Sequence, residues 1–520
     1  MAGHLFAFQG DLTQFACDAW LLPSDRRAFV VKRHWCDGNP WPLPPERFAR
    51  EPTRILGDRP VVALRELHPD HADPRQVWLG NIGRRGLSVD HAVTVLYAFL
   101  EEATADIRAN GAFVQRRAKP LLGIPLVGTG MGGARARSSD IVDAVVEASE
   151  RFARDNDVDV ALVARSDEDH AAVQGARRAR LGSARREHWD LPERWLDRAE
   201  ALAEKAAMGR LALFLGAGVS AGANLPLWGA LLARIAQEAD PALMASGALD
   251  VDFARLGALD QAAWLERALA RKGGDLPQVV QAILSEYKAY SLCHGLLASL
   301  PVRECITTNY DDLFERASFA AERPAAVLPW RPDPSRVRWL LKMHGDVADA
   351  ESIVLTRESY LRYSARNEAL SGIVQATLIT RHMLFVGFSM GDDNFHRIVD
   401  AVRRAVGSER AFELGDVTAV SDFGFQKALW EGELRWIDLF DDSGVAAAAR
   451  RLEIFLDYLS FRATGSTHLL HERFARGLSE EDKALRALLI QVREALADAP
   501  DSPGWRRVER LLRDFGHRKQ

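Results

Sequence analysis

From Leu211 to Ala233 the chain carries no charged residue, and this run constrains the fold more than any other feature. By length alone it could cross a bilayer. Gly216, Gly218, Gly222, Asn224 and Pro226 interrupt it, and such residues break a helix and free backbone groups that lipid cannot satisfy. The run therefore reads as a buried strand over 211–215, a glycine turn and the start of a helix, and no membrane span is expected. A chain of 520 residues with 48% hydrophobic and 27% charged residues has the balance of a globular protein, on length roughly two to four domains.

Sixty-seven basic against 72 acidic residues leave a net charge of −5, so the whole molecule has no strong attraction for phosphate backbones, and no direct nucleic-acid binding is expected. Cys17, Cys36, Cys293 and Cys305 stand far apart without a Cys-x-x-Cys pair. That spacing argues against a disulfide framework and against a structural zinc, and no metal is expected. The opening Met-Ala-Gly-His-Leu-Phe lacks a basic segment followed by a long apolar one, so a cytoplasmic location is expected.

Three regions separate by pattern. In residues 1–175 short apolar runs (19–23, 61–64, 77–79, 121–127 and 158–163) read as strands, and 141–154 has apolar residues at helical spacing. Alternating strands and helices imply an α/β domain. Residues 176–190 gather Arg177, Arg178, Arg180, Arg185 and Arg186 around Gly182 and Ser183. Without interleaved aromatics, this run reads as a solvated interdomain linker, not a nucleic-acid patch. In residues 191–460, an amphipathic helix over 191–208 leads into the 211–215 strand. Further strands are expected at 305–307, 339–343, 383–386 and 416–420, with helices at 277–284 and 398–406. Such a series suggests a Rossmann-like, doubly wound parallel sheet. From about 447 the chain is helix-rich (447–458, 480–497, 505–515), and 461–520 reads as a helical tail.

Polar and glycine residues follow the ends of four of these strands. Gly216-Ala217-Gly218-Val219-Ser220 gives a G-x-G-x-x-A turn opening a helix, followed by Leu225-Pro226-Leu227-Trp228. Glycines there permit a tight turn and close approach to a pyrophosphate. Thr308-Asn309-Tyr310-Asp311, His344-Gly345 and Gly387-Phe388-Ser389 end the other three. Ligands of open α/β sheets bind outside the carboxyl ends of the strands, so this is the pattern of a composite cofactor pocket. Asp392 and Asp393 read as a turn and helix cap. His294, His382 and His396 read as structural residues.

Taken in order, these motifs resemble the sirtuin superfamily over roughly 190–460. The resemblance implies NAD+ as substrate in a pocket made by Gly216, Ala217, Gly218, Ser220, Pro226, Trp228, Thr308, Asp311, Gly387 and Ser389. It implies that Asn309 holds the nicotinamide ribose and positions a water, and that His344 is the general base. The chemistry suits these residue types. Cleaving an N-glycosidic bond passes through an oxocarbenium-like cation, and needs an oriented water and a histidine that titrates near neutrality. Protein-deacetylating sirtuins carry two Cys-x-x-Cys pairs after the histidine; here Ile353 to Tyr360 follows instead and no cysteine lies beyond Cys305. The pattern therefore resembles the bacterial sirtuin-like branch of anti-phage defence, which hydrolyses free NAD+.

A second resemblance covers about 1–172. Gly10-Asp11-Leu12-Thr13 and Cys17 to Ser24 look like the opening of a macrodomain, and Ile124 to Gly133 like its glycine-rich phosphate loop. It implies an ADP-ribose-type ligand, with Asp11 accepting from an adenine amine and the amides around Gly128, Gly130 and Gly132 cradling a diphosphate. Pro23-Ser24-Asp25 stands where an Asn-rich stretch is usual, which argues against hydrolytic activity in this domain.

The expectation is an NAD+ glycohydrolase that releases nicotinamide and ADP-ribose and depletes NAD+ in abortive infection, gated or informed by the N-terminal domain. A homo-oligomer and a defence-system partner or phage trigger are expected with it. An NAD-dependent deacylase or ADP-ribosyltransferase on the same residues, and a non-catalytic NAD or ADP-ribose sensor, stand as alternatives.

Overall fold

A computed structural model describes residues 2–25, 56, 58–67, 73–83, 87–127, 138–181, 187–247, 251–407, 413–497 and 502–517. Two sheets organise the chain. The first contains β1 (Leu5–Gln9), β2 (Ala19–Ser24), β3 (Val61–Ala63), β4 (Gln76–Asn81), β5 (Leu121–Pro125) and β6 (Asp159–Ala164), in the order β1-β6-β5-β2-β4-β3. All neighbours are parallel except β3, which runs antiparallel to β4 at the edge. β1, β5 and β6 are buried along their whole length, so both faces need cover, and the helices Val89–Asn110 and Ser138–Asn156 supply part of it through apolar stripes. β1 and the 89–110 helix escaped the sequence reading: Leu-Phe-Ala-Phe-Gln alternates too little to separate from a loop.

The second sheet is parallel throughout. It contains β7 (Leu211–Leu215), β8 (Glu304–Thr307), β9 (Ala325–Leu328), β10 (Arg338–Lys342), β11 (His382–Val386), β12 (Gly415–Ala419) and β13 (Leu434–Asp438). Their order is β13-β12-β11-β7-β8-β10-β9. β8 to β10 lie on one side of β7 and β11 to β13 on the other, so the winding reverses at β7. This is the doubly wound arrangement expected, and its switch point falls where Gly216 leaves the sheet. The short β9 and β13 were not anticipated.

The region expected as a solvated linker begins as ordered structure. Residues 176–181 complete the helix Asp167–Leu181, and Arg177 is wholly buried. Burial of a guanidinium requires partners. Arg177 forks onto Asp457 at 3.1 and 2.8 Å and donates to the Leu5 carbonyl at 3.0 Å. Trp189 is also fully buried, and the guanidinium of Arg177 lies 4.8 Å from its ring centroid. Residues 182–186, with Gly182, Ser183, Arg185 and Arg186, lie outside the described residues.

The helix Val445–Ala463 packs on the helix Glu193–Ala207 and reaches β1. A buried ionic cluster ties it to the first sheet. Asp457 meets His4 and Arg177, Arg450 grips Asp159, and Arg117 bridges Asp159 and Glu453. One apolar cluster runs continuously from Phe6, Phe8 and Phe15 to Leu211, Leu213 and Leu215. Beyond it, Phe474 inserts into the apolar cluster of the first sheet, and the helices Glu480–Ala497 and Pro503–Arg513 share a small cluster around Leu469, Leu489 and Leu512. Among the described residues no helix is long and apolar enough to cross a membrane, no group of side chains could hold a metal, and Cys17, Cys293 and Cys305 are unpaired and buried. Cys36 lies outside the described residues.

Candidate active site

β11, β7, β8 and β10 are consecutive neighbours, so their carboxyl ends form one row. Three inter-strand steps of about 4.8 Å separate the outer two, a span of roughly 14 Å. Along the row stand Gly387, Gly216, Asn309 and His344, one from each strand end.

Two of the glycine amides do a different task from the one expected. The Gly216 N–H donates to the Val386 carbonyl at 2.9 Å and the Gly218 N–H to Gly387 at 3.0 Å. A Cβ on Gly216 would lie 2.4 Å from the Gly387 oxygen, one on Gly218 2.8 Å from the Gly387 Cα. The φ of +63° at Gly387 completes this backbone knot. Gly216 and Gly218 are thus required by chain-on-chain packing, and their N–H groups are already satisfied. Ala217 and Gly218 remain exposed at the rim, as does Ser389, whose carbonyl accepts from Gln426 at 3.0 Å.

Asn309 is held from both sides. Its N–H donates to Thr307 Oγ1 at 3.0 Å, and its side-chain Nδ2 donates to the Gly216 carbonyl at 3.1 Å and to Ser220 Oγ at 3.3 Å. Because a carbonyl only accepts, the amide nitrogen must face Gly216, which assigns the rotamer. Ser220 donates onward to Asp311 Oδ2 at 2.9 Å. Burial raises the Asp311 carboxyl above the usual carboxylate range, against the opposing pull of Lys342 and the Ser220 hydroxyl. Thr308 leads into this turn, its N–H donating to the Leu215 carbonyl at 3.3 Å.

Lys342, two residues before His344, was not singled out from sequence, and it fastens two strand ends together. Its buried ammonium donates to the carbonyls of Tyr310 and Asp311 at 2.9 and 2.8 Å, and pairs with Glu315 and Asp346 at 2.9 and 3.2 Å. Burial works against its charge, and the surrounding carboxylates more than offset that, raising its pKa.

His344 is buried, with the Tyr360 hydroxyl 3.3 Å from Nδ1 and Asp392 Oδ2 3.4 Å from Nε2. Nε2 itself is buried and, among the described residues, forms no hydrogen bond; the Asp392 oxygen is near it but off the bonding direction. Asp392 does cap the helix Asp393–Val406, accepting from the Phe395 N–H at 2.9 Å, as the sequence suggested.

Pro226 and Trp228 lie at the start of the helix Trp228–Ala239, and the two residues before Pro226 meet the first unit, the one built on the first sheet. Asn224 Oδ1 accepts from the Gln115 N–H at 2.8 Å, Asn224 Nδ2 donates to the Phe113 carbonyl at 3.0 Å, and Arg116 donates to Leu225 at 3.3 Å. His294 caps its own helix through Ser291, and its Nε2 lies 3.4 Å from Ser220 Oγ. His382, at the opposite end of β11 from the row, pairs with Asp416 at 2.6 Å, and His396 Nε2 lies 2.9 Å from the Met390 carbonyl.

In the first unit, Asp11 stands after β1. One of its carboxylate oxygens accepts from the Thr13 N–H and hydroxyl at 3.0 and 2.7 Å; the other pairs with Arg165 at 3.0 Å. Gly128, Gly130 and Gly132 lie outside the described residues.

A SIR2-like domain model matches residues 303–420. The match begins after the glycine turn, which joins the site through the place of β7 in the sheet. The chain is 31% identical over 206 residues to NAD(+) hydrolase ThsA of Enterococcus faecium, 38% of this chain and 41% of that protein. It is 30% identical over 203 residues to ThsA of Bacillus cereus strain MSX-D12, 37% and 40% of the two. Defense-associated sirtuin 2 of Bacillus subtilis is 25% identical over 209 residues, 39% of this chain and 20% of that protein. The chain thus spans about two fifths of the length of the ThsA proteins it matches. Over residues 303–420 the chain is thus SIR2-like, and its similarities are to proteins named as an NAD(+) hydrolase and as a defense-associated sirtuin.

Proposed function

We propose that the chain hydrolyses NAD+ to nicotinamide and ADP-ribose, and that this drains NAD+ during anti-phage defence. The observation that carries the reading is the row of strand ends that sets Asn309 and His344 on the adjacent strands β8 and β10, beside the switch point. Asn309 spends its amide nitrogen on Gly216 and Ser220, leaving its carbonyl oxygen to orient a water against the ribose C1′. The bond to nicotinamide breaks with its electron pair leaving on the pyridine nitrogen, the ribosyl cation takes the water, and His344 accepts a proton at Nε2. Asp311 and Ser220 hold the Asn309 side of this pocket.

The first unit acts as the gate. The Tyr290 hydroxyl accepts from the Asp11 N–H at 2.7 Å and donates to the Asp11 carbonyl at 2.9 Å. The next residue, Ser291, donates to the Val219 carbonyl at 2.8 Å, and its helix presents His294 to Ser220. Asp11 is the residue that the macrodomain resemblance assigns to an ADP-ribose-type ligand, so a ligand there would move a strap attached to the glycine turn. The α/β character of the first sheet supports that reading.

Nicotinamide release from NAD+ by the purified chain, with and without ADP-ribose, tests both parts. Turnover abolished in Asn309→Ala and His344→Ala is the expected result. Turnover unchanged in those variants overturns the site, and full activity indifferent to ADP-ribose-type ligands and partners overturns the gate.

A further inference from the structure

The segment that stands where other sirtuins carry zinc-binding cysteines contributes a side chain to the site. Tyr360 belongs to the helix Arg357–Arg366, which follows Ile353 to Thr356. Its hydroxyl lies 3.3 Å from His344 Nδ1 and donates to Asp392 Oδ2 at 3.1 Å. Asp392 Oδ2 in turn is 3.4 Å from His344 Nε2. Three elements thus bring a phenol, a carboxylate and an imidazole into one closed triangle, all with little exposure. The rings of Tyr360 and Tyr363 stand edge-on to His344 at 5.2 and 5.8 Å and fix its plane.

A helix cap needs only one oxygen of Asp392, the one that receives the Phe395 N–H. The second is buried against an imidazole and a phenol, an arrangement that capping does not require. Burial acts to raise the Asp392 carboxyl, and His344, the Phe395 N–H and the Tyr360 hydroxyl together bring it below the usual carboxylate range.

We propose that Asp392 and Tyr360 are positioning residues for His344, Tyr360 fixing the ring through Nδ1 and Asp392 stabilising the imidazolium formed during turnover. The proposal rests on His344 being the base. A base at Nε2 must carry its neutral proton on Nδ1. That Nδ1–H donates to the Tyr360 oxygen, and the phenol proton is donated to Asp392. Among the described residues the buried Nε2 has no hydrogen-bond partner, and its lone pair is where a substrate hydroxyl or water would give up a proton. When that O–H bond breaks, its electron pair stays on oxygen and the proton forms the Nε2–H bond. The positive charge so created sits 3.4 Å from a carboxylate in a buried setting, where the attraction is stronger than in water.

Asp392→Asn keeps a capping oxygen and removes the charge; Tyr360→Phe keeps the ring and removes the hydroxyl. In steady-state nicotinamide release we expect kcat to fall about 30-fold in Asp392→Asn and about 5-fold in Tyr360→Phe, a fraction of a general base's contribution. KM for NAD+ and the thermal midpoint should hold within about twofold and two degrees of wild type. Unchanged kcat, or a loss carried by KM and the midpoint together, overturns the proposal. The ring nitrogens of His344 give a second readout, by NMR of 15N-histidine-labelled protein, assigned by their disappearance in His344→Gln. They should shift in Asp392→Asn and in Tyr360→Phe, and unmoved resonances overturn the proposal. Should wild type release no nicotinamide under any condition, the NAD+ hydrolase reading fails while this second readout still decides the positioning.

Discussion

The two sheets are built on the same plan and used differently. Each is mainly parallel, with strands too apolar to leave either face in water. In the second sheet the carboxyl ends of four adjacent strands deliver Gly387, Gly216, Asn309 and His344 to one row, with the Asn309 amide bonded to the Gly216 carbonyl and the Gly218 N–H to Gly387. In the first sheet segments from both ends of the strands meet the second unit: Asp11, after β1, meets Tyr290, and Phe113 and Gln115, before β5, meet Asn224. The lesson is that one α/β unit can carry the candidate site while its neighbour contacts the turns that flank it. The helix 445–463 then locks the pair with charge: Asp457, Glu453 and Arg450 pair with residues of the first unit and are themselves buried.

Removing the reacting groups should separate the units most sharply. Asn309→Ala and His344→Ala are each expected to lower nicotinamide release by about 10³-fold, with the thermal midpoint little changed; a comparable loss from Asp11→Ala would break the division of labour. Next comes the lock. Asp457→Ala leaves Arg177 and His4 without their buried carboxylate, and the expected cost is about 3–5 kcal/mol, read as a lowered denaturant midpoint. A midpoint within error of wild type would mean that the units hold together by their apolar contact alone.

Acid should unequally weaken the two units. Burial lowers the pKa of His170 and His468 to about 4, and of His188 and His294 to about 3. Such histidines fold neutral, so an unfolded chain with pKa values near 6.5 binds protons that the native one refuses. Their contribution is complete above about pH 6.5 and is lost as pH falls toward 4, at about 1.4 kcal/mol per unit per group. Three of the four lie in or against the first unit, so hydrogen exchange between pH 7 and 5 should show it opening first. Equal loss of protection in both units would contradict this.

The smallest effect is expected at Arg165, half exposed beside Asp11. Arg165→Ala should cost at most about 1 kcal/mol of stability, yet it frees an Asp11 oxygen. If Asp11 serves an adenine amine, calorimetry should show ADP-ribose binding tightened; weakened binding would assign Arg165 to the ligand instead.

Much of the site was legible in the sequence because strand ends advertise themselves locally. A short apolar run followed by Gly-Ala-Gly, Thr-Asn-Tyr-Asp, His-Gly or Gly-Phe-Ser is visible without knowing the sheet order. The reason for the glycines was not. Gly216 and Gly218 looked like a cradle for phosphate and prove to be where the chain crosses the Gly387 backbone, a contact across more than 160 positions. The arginine-rich segment around 177 looked solvated because its partner, Asp457, is 280 residues away. Lys342, Tyr360 and the second oxygen of Asp392 carried no signal of their own, since each acquires meaning only from what faces it.

What the sequence by itself determined is the class of sheet, the order of the motifs along it and the two residues on which the proposed chemistry turns. These follow from hydrophobic pattern and turn chemistry, which act over a few residues. The tertiary structure alone decided that β7 is the switch point, which amides are already satisfied, what surrounds His344 and how the two units are joined. Those depend on long-range pairing and desolvation, where a buried charge or N–H must find its partner wherever in the chain that partner lies.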